Sequence, residues 1–167
     1  MNSIIEWFSN LLAGIPKEAI VFIISMVPIL ELRGGLIAAS LLGVDIVPAL
    51  ILCIIGNILP VPFILWFITP LFSKLKQWHR IRPTVEKLEA KALAKGDKVR
   101  KYEFWGLVLF VGIPLPGTGA WTGSLIAALL EIPRKKAVFT ILLGLIMAAA
   151  IMSFFTYGLP WIIGGAA

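Results

Sequence analysis

The chain has 167 residues, 59% of them hydrophobic and only 14% charged, with a net charge of +6. A soluble domain carries about 25% charged residues, so this balance excludes an ordinary water-soluble fold and makes a bilayer the expected solvent. The basic residues lie in short segments flanking apolar runs, where they report topology and anionic lipid rather than nucleic acid.

One membrane domain is expected over 1–167, because too few residues remain outside the apolar blocks for a second core. Residues 1–16 place Ile4, Ile5, Trp7, Phe8, Leu11 and Leu12 at helical spacing, without the basic opening of a secretory signal. That pattern predicts a retained helix lying in the interface. Residues 18–44 are apolar at both ends and interrupted by Pro28, Glu31, Arg33, Gly34 and Gly35. Proline and paired glycines weaken a continuous helix, and each limb is too short to cross a membrane. A re-entrant helical hairpin is expected there, followed by a transmembrane helix over 45–69 that contains the single cysteine, Cys53, and Asn57. With one cysteine, no disulfide framework or cysteine-based metal cluster can form; Asn57 suits a hydrogen bond between helices or a substrate contact.

A basic linker follows over 72–103, with Val85, Leu88, Ala92 and Val99 near helical spacing. It is expected as a surface helix interrupted at Gly96–Asp97. Trp66, Trp78 and Trp105 flank it as interface anchors. His79 has no second histidine with which to hold a metal or relay a proton. Residues 104–131 carry a second break, Pro114-Leu115-Pro116-Gly117-Thr118-Gly119-Ala120-Trp121-Thr122-Gly123, and predict a second re-entrant hairpin. A second transmembrane helix is expected over 134–158.

Charge fixes the topology. The linker holds ten lysines and arginines, and Arg134, Lys135 and Lys136 follow the second break. The positive-inside rule places both clusters in the cytoplasm only if the second broken stretch returns to its own side. The loop containing Asp45 then faces outward, and the hairpins enter from opposite faces. The expected fold is therefore all-α and multi-pass, with two inverted repeats, each a re-entrant hairpin plus a transmembrane helix. Aligning Gly34 with Gly123 brings Leu36-Ile37-Ala38-Ala39 onto Leu125-Ile126-Ala127-Ala128; one gap later Ala49 meets Ala137 and Gly56 meets Gly144.

The candidate site lies at the two breaks. An arginine at membrane depth costs about 2.5–3.5 kcal/mol even on lenient scales, so Arg33 needs either a structural partner, Glu31 or freed carbonyls, or a function. The returning limbs would aim helix N-termini inward, which attract anions. Arg33, with Thr118 and Thr122, is expected to receive a phosphate or carboxylate, with Gly34, Gly35, Pro116, Gly117 and Gly119 shaping the site. Trp121 either walls the cavity or packs against the first hairpin. Glu31 is a permanent counter-ion or a proton-coupling carboxylate. No metal or other cofactor is expected. No histidine lies at membrane depth for covalent catalysis, so the chain is not read as an enzyme.

Through Glu31-Leu32-Arg33-Gly34-Gly35 and the second break, the chain resembles the small multidrug export protein family of bacteria and archaea over nearly its whole length. That family is thought to be a distant relation of the DedA superfamily, which shares paired re-entrant hairpins and includes transporters of undecaprenyl phosphate. The resemblance implies a prokaryotic cell membrane, a transport role, and a need for the charged residues Glu31 and Arg33. Three readings stand: a transporter or flippase for an anionic lipid or small amphiphile, a proton-coupled exporter of cationic drugs, and a membrane scaffold or dimer contact with no substrate. The partner in the first is a membrane lipid bearing phosphate, and a homodimer suits the third.

Overall fold

The computed structural model describes residues 14–164, and every regular element among them is helical. The interfacial helix expected over 1–16 falls on residues outside the described ones, apart from residues 14–16, which lead non-helically into the first helix.

Helix α1, Lys17–Met26, starts after Pro16, with Glu18 in its first turn, where a carboxylate favours the helix dipole. It stops because Val27 precedes Pro28 and is driven to extended geometry, ψ 129°. A turn at residues 27–30 reverses the chain, with the amides of Leu30 and Glu31 both donating to the Val27 carbonyl. Helix α2, Glu31–Leu41, then packs back against α1. At its end Gly43 takes φ 63° and the Val44 amide donates to the Ala39 carbonyl at 2.9 Å, a Schellman closure.

Helix α3, Ile46–Ile58, and helix α4, Pro60–Leu75, form one 30-residue apolar run, long enough to cross a membrane. The run covers the span expected over 45–69, and Leu59 keeps helical backbone angles, φ −58° and ψ −42°. Pro60 has no amide to donate and divides the run at Leu59. Helix α1 lies against α3 so closely that a Cβ on Gly56 would meet the Phe22 carbonyl oxygen at 2.8 Å.

Helix α5, Arg82–Gly112, is 31 residues long and merges the linker with the first limb of the second hairpin. The interruption expected at Gly96–Asp97 is absent, because Gly96 is buried against Ile126 and Leu130 and serves close packing instead. After an irregular turn at residues 113–119, helix α6, Ala120–Leu129, packs back on α5. It too ends in a Schellman closure, from the Ile132 amide to the Ala127 carbonyl at 2.9 Å, but here a glutamate, Glu131, occupies the left-handed position with φ 55°.

Helix α7, Arg134–Ser153, continues through a π-helical segment, Phe154–Gly158, into α8, Leu159–Gly164. Residues 134–158 form the second apolar run long enough to cross a membrane. On α7, Gly144 lets α5 approach so closely that a Cβ would meet the Val108 carbonyl oxygen at 2.9 Å. The two long runs are antiparallel: Ile46 lies with Tyr157 and Gly158 at one end, and Arg134 with Thr69 and Pro70 at the other.

The core is built of small and aliphatic residues, among them Val21, Leu36, Cys53, Leu107, Ile126 and Ile141. Cys53 behaves there as a small buried hydrophobe. Large apolar side chains also cover the outside, including Ile29 at 92% exposure and Leu41 at 82%, with Phe63, Phe67 and Phe139 half exposed. An apolar exterior of that extent suits lipid or a partner rather than water. Trp66, Trp78 and Trp105 all point outward.

Candidate functional site

The two broken segments meet. Both charges of the first break are satisfied by the second, and no ion pair joins Glu31 to Arg33. Glu31 begins α2 with φ 50°, a left-handed conformation that glutamate rarely adopts. Its carboxylate is carried over the start of α6, where Oε2 accepts from the Ala120 amide at 3.2 Å and Oε1 from the Trp121 amide at 3.1 Å. Glu31 therefore caps a helix remote in sequence. It satisfies two amides that no residue of α6 itself satisfies and sets a carboxyl group at the positive end of the dipole. Room for the carboxyl exists only because position 119 is glycine, since a Cβ there would overlap the Glu31 carboxyl group. At 4% exposure Glu31 is sealed from outside.

Arg33 crosses in the same direction to the irregular turn. Nη1 donates to the Leu115 carbonyl at 2.6 Å, and Nη2 donates to the Ile113 carbonyl at 3.3 Å and to Thr118 Oγ1 at 2.8 Å. Thr118 turns its hydroxyl toward the same two carbonyls, Ile113 at 3.0 Å and Leu115 at 2.8 Å. Pro114 and Pro116 prevent helix continuation, so the Ile113 and Leu115 carbonyls take local turn bonds, from the Leu115 and Thr118 amides, and have remaining acceptor capacity for side-chain donors. A second cation closes the turn from the far side, where Lys95 Nζ donates to the Gly117 carbonyl at 2.7 Å. Gly117 itself takes φ 75°.

Of the residues selected from sequence, Glu31, Arg33, Thr118, Gly119 and Trp121 come together. Pro116 and Gly117 shape the turn. Gly35 instead packs α2 against Ser25 and Cys53, and Gly34 faces only Leu30 of its own turn. Thr122 takes no part in this hydrogen-bond network.

Sequence reasoning missed Lys95, which looks like one more linker lysine until the turn is seen beside it. It also undervalued Asn57. That side chain is fully buried, lies beside Glu31 short of hydrogen-bond geometry, and has no partner for either amide atom. Trp121 Nε1 is likewise buried without an acceptor. Unpaired buried polar atoms cost about 1–3 kcal/mol each, so this centre carries more polarity than the static fold uses.

Beside the turn is a cavity of about 500 Å³, lined by Lys95, Leu109, Phe110, Ile113, Leu115 and Thr118 among others. Its walls are apolar, and its polar edge is the turn that Arg33 holds. Among the described residues, no group of three or more histidine, cysteine, aspartate or glutamate side chains could hold a metal.

Two long apolar helices and apolar outer faces around a charged clamp are the make-up of a membrane protein. The chain belongs to the putative small multi-drug export protein family, whose model matches residues 31–151, from the clamp glutamate to the second long helix. No curated protein and no solved structure matches it.

Proposed function

We propose that the protein is a multi-pass membrane transporter for a small amphiphile with an anionic head group, built from two inverted copies of a hairpin-plus-span unit, with the head group bound at Arg33. The observation that carries this reading is the asymmetric use of the two charges. Glu31 is sealed and committed to the α6 dipole, whereas the half-buried Arg33 has only neutral oxygens as acceptors. A phosphate or carboxylate adds an opposite charge and accepts the guanidinium fork through two parallel hydrogen bonds, which a single neutral carbonyl cannot do. Arrival of such a group at Arg33 would release the turn, so substrate binding and opening of the clamp become one event.

Support for two copies comes from a constant spacing, the one separating Gly56 from Gly144. At that spacing the buried residues Ala49, Cys53, Gly56, Pro60, Val61 and Leu65 correspond to the buried Ala137, Ile141, Gly144, Ala148, Ala149 and Ser153. Glu31 corresponds to Gly119, each with a positive φ, and Gly43 to Glu131. This register sets Gly35, rather than Gly34, against Gly123; both glycines are buried, one against Ser25 and the other against Val111. The Leu-Ile-Ala-Ala identity is one residue out of this register, because apolar strings match by composition while burial follows the helix face.

Support for a membrane setting comes from the apolar exterior and from Asn57, which lies beside Glu31 and in the middle third of the first long run. The clamp then sits near mid-bilayer, with each hairpin re-entrant and both basic segments in the cytoplasm of a prokaryotic cell. DedA-like architecture is part of the same proposal.

A second reading follows from the family description and from Glu31 as a buried carboxylate with only amides as partners: a cationic drug would displace α6 from Glu31. Mass spectrometry of lipids retained after gentle purification separates the two. The wild type should carry an enriched anionic lipid and Arg33→Lys should lose it about tenfold while folding, because lysine keeps the charge but lacks the planar fork. Equal retention by both proteins, or no anionic enrichment, removes the anionic reading.

A further inference from the structure

Two further cavities lie at opposite ends of the antiparallel long runs, separated by roughly 35 Å of helix. One, of about 570 Å³, is lined by Ser40, residues 43–46, Tyr157 and Gly158. The other, of about 400 Å³, is lined by Thr69, Pro70, Ala128 and residues 131–134, with Leu65 and Trp66 at its edge. At the spacing that relates Gly56 to Gly144, every residue of the first cavity has its counterpart in the second. Ser40 becomes Ala128, residues 43–46 become 131–134, and Thr69 and Pro70 take the places of Tyr157 and Gly158. Each cavity also adjoins the C-terminal end of a returning limb, α2 or α6, whose N-terminal end carries the clamp.

The hydrogen bonding across them differs. At the first cavity the Tyr157 hydroxyl donates to the Val44 carbonyl at 3.0 Å, and Ser40 Oγ donates to the Thr156 carbonyl at 3.2 Å, tying the end of α2 to the π-helical segment. At the second, the corresponding residues are Thr69 with Ile132 and Ala128 with Ile68, and among the described residues no side-chain hydrogen bond crosses it.

We infer that these cavities are two copies of one portal through which the transported amphiphile reaches the Arg33 centre from either face, with Tyr157 and Ser40 latching the end of α2 to the π-helical segment at the portal beside Asp45 while the portal beside Arg134 stands unlatched. The inference rests on the transport reading above but not on the charge of the substrate. The cavity beside Arg134 is the one without such a latch. Breaking the latch frees the opposite portal, and because both returning limbs share the clamp, the unlatched portal tightens in exchange.

Hydrogen-exchange mass spectrometry on the full chain in phosphatidylcholine nanodiscs, with no substrate added, tests this. Residues 43–46 and 131–134 follow matching Schellman closures; Pro133 has no amide and Lys17 also holds the Gly43 carbonyl, so rates are compared per exchangeable amide against each residue's intrinsic rate. In the wild type, residues 43–46 should exchange at least fivefold more slowly than 131–134. Tyr157→Phe should raise exchange at 43–46 severalfold and lower it at 131–134, and Thr69→Tyr should slow exchange at 131–134. Equal wild-type rates, or a Tyr157→Phe effect that leaves 131–134 unchanged, overturns the inference. If Tyr157→Phe loses protection throughout α3 and α7, Ser40→Ala, which removes the other latch bond alone, is read by the same criteria. Because no ligand enters the measurement, its failure would leave the lipid-retention result standing, and the reverse also holds.

Discussion

Glu31 is held in a backbone conformation unfavourable for an L-residue by about 1–2 kcal/mol, and its carboxylate repays that by capping α6. The arrangement depends on the absence of a side chain at position 119. Gly119→Ala should therefore cost about 2–3 kcal/mol, since it adds a Cβ where the carboxyl sits and forces φ 125° on an alanine. Denaturant titration of the detergent-solubilised protein measures this, and a loss below about 0.5 kcal/mol would show that the carboxylate does not occupy the helix end. Asn57 argues the complementary point. At the proposed repeat spacing its place is taken by Leu145, buried without any polar side-chain atom, so on that proposal packing alone does not call for an amide beside Glu31.

Between elements, the two Schellman closures offer a controlled comparison. Gly43 sits in open space at φ 63°, and Glu131 takes φ 55° at the matching corner. Glu131→Gly should stabilise the fold by about 1 kcal/mol and Gly43→Ala should destabilise it by a similar amount, both read from unfolding midpoints at constant denaturant slope. Shifts of the same sign would mean that the corners are not equivalent. These corners also mark the limit of what the sequence discloses. The breaks at Pro28 and at Pro114 with Pro116 could be read directly, because proline acts locally on its own and the preceding residue. The glycine function at Glu131 could not, since a charged surface residue gives no sign of a left-handed backbone. Gly96 misled for the opposite reason: glycine weakens a helix locally, but its use here is set by Ile126 and Leu130, thirty or more residues away. Arg33, Glu31 and Thr118 stood out by residue type, and freed carbonyls were among the partners expected for Arg33, but the Ala120 and Trp121 amides that hold Glu31 have no letter in the sequence.

For the molecule as a whole, the two-fold reading fixes which lysines share a face. Lys17 Nζ donates to the Gly43 carbonyl at 2.6 Å, which puts it at the Asp45 end, while Lys135 and Lys136 begin α7 at the end where Thr69 and Pro70 meet Arg134. In sealed, uniformly oriented vesicles, a membrane-impermeant amine reagent should label Lys135 and Lys136 together with Lys74 from one side, and Lys17 only from the other. Labelling of all four from the same side would remove the inverted arrangement. The joint at Leu59–Pro60 adds a mechanical corollary. Helix α3 packs against its own hairpin, whereas α4 packs against α6 of the other half, and in the second long run the position corresponding to Pro60 is Ala148, inside unbroken helix. The first run can thus flex at its middle, whereas the second departs from regular α-helix only toward its end, at Phe154–Gly158, so a rocking step would pivot on the first run alone.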